Sequence, residues 1–115
     1  MVRIYHNPRC SKSRQTLALL EERGLAPEVV LYLESPPSPA ELDLICQRLG
    51  KAPQELLRAG EDLAEELGLS RDDARSRAEW LELLCRHPIL IERPIVTRGE
   101  RAALGRPPEA VLEIL

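Results

Sequence analysis

The first 33 residues alternate between strand and helix signals, and this order constrains the fold more than any other feature of the chain. Val2–Tyr5 combines β-branched and aromatic residues and predicts a short strand. From Ser11 the apolar spacing is helical, and Gly24 is a suitable residue to end that helix. Glu28–Leu33 contains a continuous apolar run typical of a buried strand. Strand, helix and strand within about 30 residues predict a right-handed βαβ unit.

The middle of the chain, about residues 38–86, is predicted to be all-helical. Ser38–Glu41 has the features of a helix start: a serine N-cap, a proline at the first helical position and an acid at the third. This helix is expected to end near Leu49, before a glycine. Further helical segments are predicted at 53–58, 61–67 and 70–86.

Strand signals return near the end of the chain. Ile95–Arg98 and Arg101–Leu104 flank the dipeptide Gly99-Glu100, which predicts a two-residue hairpin turn. A last helix is predicted over 109–114, after two prolines. The complete order is therefore βαβ, helices, ββα.

This order predicts an α/β protein with a thioredoxin-like mixed four-stranded sheet flanked by helices. The all-helical segment is then an insertion between the βαβ and ββα parts. A chain of 115 residues is expected to form a single domain. The thioredoxin-like core is predicted to comprise about 1–37 and 87–115, and the helical insertion about 38–86.

Composition and charge argue against several classes of protein. Aromatic residues make up 3% of the chain with no Phe, so the core is expected to consist mostly of Leu, Val, Ile and Ala. The net charge of -3 with 30% charged residues predicts a mixed surface and argues against nucleic acid as a partner. No apolar run reaches the roughly 18 residues that span a bilayer, and the start lacks a signal-peptide pattern. We therefore expect no membrane partner and a cytoplasmic protein.

The cysteines are odd in number and widely spaced, which argues against a disulfide framework. Cys46 and Cys85 fall on apolar helical stripes, where free cysteine packs as a small hydrophobe. The chain has no CxxC pair, and its two histidines, His6 and His87, are far apart in sequence. A structural zinc site is therefore not expected.

Cys10 differs from the other two because it lies between the first strand and the first helix. Unpaired backbone N–H groups and the helix dipole stabilise a thiolate at such a position. His6, if protonated, and nearby basic side chains could add positive potential. Ser13 stands where a resolving cysteine often follows, and it cannot form a disulfide. Another molecule's thiol would therefore have to complete any redox cycle at Cys10.

Two arginines stand out because each precedes a proline at an element boundary: Arg93 in "ERPI" and Arg106 in "GRPP". Thioredoxin-like sheets place a cis-proline before the third strand, facing the active cysteine, and Pro94 fits that position. An arginine just before it would point to the same site, and its planar fork suits a tetrahedral oxyanion. The alternative to an active-site role is that His6 is an ordinary surface side chain and that the arginines form surface ion pairs.

Five blocks of the sequence together resemble the glutaredoxin-coupled arsenate reductase family. They are "YHNPRCSKSRQTL", "VVLYLESPP", "ELLRAGEDL", "HPILIERPIV" and "GRPPEAVLEIL", in the family's order and over nearly the whole chain. The resemblance implies a thioredoxin-like fold with a helical insertion. It also implies that Cys10 is the nucleophile and that His6 helps to hold its thiolate. Three arginines would form the oxyanion site: Arg58, Arg93 and Arg106.

The function that the resemblance implies is the reduction of arsenate to arsenite. Glutathione would be the co-substrate and glutaredoxin the protein partner, with no bound cofactor and no metal. Two alternatives stay open. One is a general glutathione-linked thiol oxidoreductase, which the CxxS arrangement of Cys10 and Ser13 favours. The other is a non-enzymatic regulator of related fold that binds RNA polymerase.

Overall fold

The computed structural model describes the whole chain, Met1–Leu115. The chain forms two compact units. The first, here the core unit, combines Met1–Ser35 with Arg93–Leu115. The second, here the helical unit, is Pro36–Glu92. None of the helices has the length and apolar character needed to cross a membrane.

The core unit contains a four-stranded mixed sheet. Its strands are β1 (Val2–Tyr5), β2 (Glu28–Val30), β3 (Ile95–Arg98) and β4 (Arg101–Leu104). They lie in the order β2-β1-β3-β4. The β1–β2 pair is parallel, as a βαβ unit requires, whereas β1–β3 and β3–β4 are antiparallel. The predicted α/β class and the hairpin between β3 and β4 are confirmed.

Helix α1 (Ser11–Glu22) connects β1 to β2, and the last 3-10 helix (Pro108–Ile114) packs against both α1 and β4. The predicted final helix is therefore present, with 3-10 rather than α geometry. Aliphatic side chains fill the space between these elements, as the composition predicts. The buried cluster comprises Val2, Ile4, Leu20, Val96, Val111 and Ile114.

The prediction of a buried strand over Glu28–Leu33 is wrong in length and in burial. Strand β2 ends at Val30 and is an edge strand, so it pairs only with β1. Leu31 and Leu33 remain 38% and 37% exposed. After β2 the chain turns, because the Leu31 carbonyl accepts hydrogen bonds from the backbone N–H groups of Glu34 and Ser35. Only Tyr32 of this turn is buried.

The helical unit contains three α-helices: α2 (Pro39–Leu49), α3 (Asp62–Glu66) and α4 (Arg77–Arg86). Short 3-10 helices cover Pro53–Leu56 and Pro88–Leu90. Helix α2 begins as predicted, because Ser38 is its N-cap and its hydroxyl accepts a hydrogen bond from the third helical N–H. Helices α2 and α4 pack against each other.

The predicted start of the last insertion helix, at residue 70, is wrong. Helix α4 begins at Arg77, where Ser76 and Glu79 form a reciprocal capping box with hydrogen bonds of 3.2 and 3.0 Å. Residues 70–73 form a turn instead, because Ser70 and Asp73 bond to nearby backbone N–H groups. Such local bonds compete with helix formation.

Candidate active site

Cys10 is the N-cap residue of α1, with extended backbone angles. Its backbone N–H donates to the Asn7 carbonyl at 3.0 Å, and its own carbonyl accepts from Arg14 at 3.0 Å. The chain therefore turns tightly between β1 and α1 and leaves the cysteine side chain partly buried at the helix N-terminus. This is the position that the sequence predicts, and it directs free backbone N–H groups toward the sulfur.

The surroundings of Cys10 favour the thiolate. Burial alone would raise the pKa of its thiol, but several hydrogen bonds outweigh burial and lower the pKa below its usual value. The donors are the backbone N–H groups of Ser13 and Lys12 and the side chain of Arg93. The Nη2 group of Arg106 lies 3.6 Å from the Cys10 sulfur and also donates to it. Cys10 therefore has the environment of a nucleophile.

The other two cysteines have the opposite environment. Burial raises the pKa of the Cys46 and Cys85 thiols to about 11 in each case. Cys46 is completely buried in α2, which confirms its predicted place in the core. Cys85 is only partly buried in α4. Neither thiol is activated at neutral pH.

His6 contacts Ser13 rather than supplying positive charge. The His6 Nδ1 atom lies 2.6 Å from the Ser13 hydroxyl, and the Asn7 backbone N–H donates to the same hydroxyl at 3.0 Å. Burial and, secondly, the charge of Arg14 lower the pKa of His6, so the imidazole is neutral at pH 7. The positive potential expected of His6, if protonated, is therefore not favoured by these surroundings, and the role of His6 at the site stays a prediction. The buried bond between Ser13 and His6 was not predicted.

Arg93 and Arg106 lie together beside Cys10. The Arg106 Nε group donates to the Arg93 carbonyl at 2.7 Å, which aligns its guanidinium with the sulfur. Arg93 is 9% exposed, whereas Arg106 is exposed. The peptide bonds from Arg93 to Pro94 and from Arg106 to Pro107 are both cis. Two guanidinium groups and one thiolate therefore occupy a common site, which suits an anionic substrate.

Gly105 permits the close approach that places Arg106. Its backbone N–H donates to the Pro94 carbonyl at 2.9 Å. A Cβ atom at Gly105 would lie 2.4 Å from the Thr16 hydroxyl and 2.7 Å from Pro94 Cγ, which is too close for either contact. No sequence pattern predicts this role for Gly105. The only signal was its position directly before the Arg-Pro pair.

Arg58 belongs to the helical unit. Leu57 forms an antiparallel bridge with Ile91, and the Arg58 backbone N–H donates to the Leu90 carbonyl at 2.8 Å. The Arg58 Nε group pairs with Glu61 at 3.1 Å, and its Nη1 group pairs with Glu92 at 2.7 Å. Neither of these two ion pairs involves the Nη2 group of Arg58. Burial opposes the charged form, but the two carboxylates outweigh it and raise the pKa of Arg58.

The arrangement suggests thiol chemistry on an anion. No three His, Cys, Asp or Glu side chains converge as a set of metal ligands. A thiolate with adjacent arginines can attack an electrophilic centre whose negative charge the arginines offset. The catalytic and oxyanion-binding roles of the individual residues stay predictions, including the role of Arg58.

Comparisons with known proteins agree with this description. A model of the ArsC family matches residues 5–114. The chain is 51% identical over 115 residues to the uncharacterized protein YfgD of Escherichia coli K12, covering 99% of this chain and 96% of that protein. It is 49% identical over 113 residues to an arsenate reductase of Haemophilus influenzae, covering 97% of each chain. The solved structure of an arsenate reductase from Vibrio cholerae superposes with a TM-score of 0.93 at 51% identity, covering 99% of this chain and 97% of the other. The thioredoxin-like fold is confirmed, and the chain belongs to the ArsC family.

Proposed function

We propose that this protein reduces arsenate to arsenite in the reducing cytoplasm, with glutathione and glutaredoxin as the external thiols. The observation that carries the proposal is the Cys10 sulfur with a lowered pKa and the Arg106 guanidinium 3.6 Å away. Arsenate is a tetrahedral dianion or monoanion near neutral pH, so arginine donors offset its charge. Relatives at 48% and 49% identity are named arsenate reductase, which supports the same substrate here.

In the first step, the Cys10 thiolate attacks arsenic and forms a sulfur–arsenic bond. One arsenate hydroxyl takes up a proton from solvent and leaves as water, and arsenic stays pentavalent. Arg93 and Arg106 offset the negative charge on the remaining oxygens, and Arg58 is proposed as a third donor. The step involves no change of oxidation state, so it requires no bound cofactor.

In the second step, a glutathione thiol attacks the Cys10 sulfur. A disulfide forms between the two sulfurs, the sulfur–arsenic bond breaks, and its electron pair goes to arsenic. Arsenic is thereby reduced by two electrons and leaves as arsenite, while the two sulfurs are oxidised. Since buried Ser13 occupies the position of a resolving cysteine, glutaredoxin then attacks the mixed disulfide and restores the Cys10 thiolate.

The test is an assay of NADPH consumption with arsenate, glutathione, glutaredoxin and glutathione reductase. The wild-type protein should turn over, and Cys10→Ser should not. Arg93→Ala should lower kcat/KM for arsenate about a hundredfold, the usual effect of removing one charge-stabilising donor. Cys85→Ser is the matched control, because its thiol is not activated. Absence of turnover in the wild type, or turnover in Cys10→Ser, would refute the proposal.

A general glutathione-linked thiol oxidoreductase is the second candidate. It is favoured by the partly buried but accessible thiol of Cys10 and by the absence of a cysteine at position 13. Such an enzyme would reduce glutathione mixed disulfides, and it would not need the arginines to hold an oxyanion. Activity on a glutathionylated peptide that survives Arg93→Ala and Arg106→Ala, with no turnover of arsenate, would favour this function instead.

A further inference from the structure

A cleft in the core unit borders the segment that leads into Cys10. It has a volume of about 210 Å³ and is lined by His6, Asn7, Pro8, Arg9, Leu31, Leu33 and Glu34. None of these residues is among the proposed oxyanion-binding arginines. Because its volume is below the roughly 300 Å³ of pockets that enclose small ligands, a larger ligand would lie along this cleft rather than inside it.

Hydrogen bonds within the chain fix the backbone of both walls of the cleft. One wall is the turn before α1, where the Asn7 side-chain carbonyl accepts from the Arg9 backbone N–H at 3.0 Å. The other wall is the turn after β2, which is closed by hydrogen bonds to the Leu31 carbonyl and anchored by buried Tyr32. A bond of 2.8 Å from the His6 N–H to the Val30 carbonyl joins the two walls. A ligand would therefore meet a preformed surface.

The cleft combines an apolar surface with one charge of each sign. Leu31 and Leu33 are 38% and 37% exposed on its wall. Arg9 and Glu34 are exposed, and neither forms an ion pair within the chain. This surface is complementary to a short, flexible ligand that has a carboxylate at one end, an ammonium group near the other and methylene groups between them.

We propose that this cleft binds glutathione. The inference rests on the proposed function, which requires an external thiol at Cys10. Arg9 would bind the glycyl carboxylate, Glu34 the ammonium of the γ-glutamyl residue, and the leucines would pack against the methylene groups. Since Arg9 directly precedes Cys10, and the Cys10 N–H is bonded to Asn7 of the same turn, a glutathione held in this orientation would lie beside the segment that carries the reacting sulfur.

The chemical step is the disulfide exchange described above. The glutathione thiol loses its proton to solvent and bonds to the Cys10 sulfur, and the group that leaves that sulfur takes the electron pair. In the catalytic cycle the leaving group is arsenic. With oxidised glutathione as the probe, the Cys10 thiolate attacks one glutathione sulfur and the other glutathione leaves as a thiolate. The reaction with oxidised glutathione would use the same cleft and requires no arsenate.

The decisive experiment compares Arg9→Gln and Glu34→Gln with the wild type in the steady state. We expect each variant to raise KM for glutathione about fivefold and to leave kcat nearly unchanged, as expected for loss of one exposed charge pair to a ligand. With 2-mercaptoethanol, which has neither carboxylate nor ammonium, the variants should match the wild type. Arg23→Gln and Glu22→Gln are the matched controls, because both side chains are exposed at the other end of α1.

An unchanged KM for glutathione in both variants would overturn the proposal. Equal losses with 2-mercaptoethanol would also overturn it, because they would indicate damage to Cys10 itself. A change confined to KM for glutaredoxin would show that the cleft binds a protein partner instead.

A measurement without arsenate separates this inference from the proposed function. The rate at which oxidised glutathione modifies Cys10 is followed by mass spectrometry, beside the rate with bis(2-hydroxyethyl) disulfide. The variants should slow only the first reaction, again about fivefold. If arsenate turnover is absent but this selective slowing is present, the proposed substrate fails and the glutathione site stands. If arsenate turnover is present but the variants slow neither disulfide reaction, the glutathione site is refuted and the proposed function stands.

Discussion

At the scale of single residues, the chemistry depends on the surroundings of a thiol and not on its identity. The chain has three cysteines, and all three are partly or completely buried. Burial raises the pKa of Cys46 and Cys85 to about 11, and at Cys46 the opposing charge of Arg77 is too weak to prevent the rise. At Cys10, burial acts in the same direction but is outweighed by backbone N–H groups and arginine. The helix N-terminus and the arginines therefore select one thiol of the three.

This difference predicts the pH dependence of alkylation. Iodoacetamide should modify Cys10 first, with a rate midpoint below that of an ordinary thiol, because the pKa of Cys10 is lowered and only the thiolate reacts. Removal of a cation that stabilises the thiolate should raise this pKa, so Arg93→Ala and Arg106→Ala should move the midpoint to higher pH and slow the reaction at pH 7. Arg101→Ala, at the exposed hairpin, is the control. A midpoint that does not move in either site variant would contradict the assignment.

At the scale of elements, the site is formed by segments that adjoin strands and helices. The N-terminus of α1 holds Cys10, the residue before β3 is the cis-proline Pro94, and the segment after β4 carries Arg106. These segments meet because Gly105 packs directly on Pro94 and on Thr16 of α1. The position of Arg106 therefore depends on the absence of a side chain at the preceding residue.

Gly105→Ala should accordingly displace Arg106 from Cys10. The added Cβ atom would lie 2.4 Å from Thr16 Oγ1 and 2.7 Å from a ring carbon of Pro94, so the segment after β4 must move. We expect the pKa of Cys10, measured by alkylation, to rise as it does in Arg106→Ala. In the double variant Gly105→Ala/Arg106→Ala, the pKa of Cys10 should change little further, since both substitutions remove the same interaction between Arg106 and Cys10.

The control for this substitution is Gly60→Ala, because nothing lies within 4 Å of a Cβ atom at that residue. Thermal unfolding of each variant shows whether the core unit stays folded. A Gly105→Ala protein that is folded and retains the wild-type pKa at Cys10 would show that Gly105 does not position Arg106.

At the scale of the whole molecule, the core unit is assembled from both ends of the chain. Its apolar cluster joins Val2, Ile4 and Leu20 from the first part to Val96 and Val111 from the last. The helical unit, Pro36–Glu92, separates these two parts in sequence. The strands that carry the site therefore pair only when distant segments meet, as in β1 with β3.

This organisation predicts a large effect of truncating one shared core residue. Leu20 is completely buried in the cluster, so Leu20→Ala should lower the free energy of unfolding by about 3 kcal/mol, from lost burial and the cavity left behind. Leu44→Ala, also in a helix but 48% exposed, should change it by less than about 0.5 kcal/mol. Urea denaturation measures the free energy of unfolding of both variants. Similar losses in the two variants would contradict the assigned core.

The sequence alone determined those features that depend on a few neighbouring residues. These include the order of strands and helices, the N-cap of α2 at Ser38, the hairpin between β3 and β4, and the place of Cys10 between β1 and α1. Each follows from residue periodicity or from a side chain that bonds to its own backbone nearby. The residue pattern also singled out Arg93 and Arg106, whereas Arg58 lacked any local signal and came only from the resemblance of five sequence blocks to one family.

Only the tertiary structure decided features that depend on distant contacts. The apolar run after Glu28 forms only a short, exposed edge strand because β2 has one neighbouring strand. Helix α4 begins later than predicted because hydrogen bonds of Ser70 and Asp73 compete with helix formation. The pKa of His6 is lowered chiefly because its ring is buried, and Gly105 is required because a Cβ atom there would clash with Thr16 and Pro94. Burial, charge state and close approach arise from atoms far apart in sequence, so no local pattern records them.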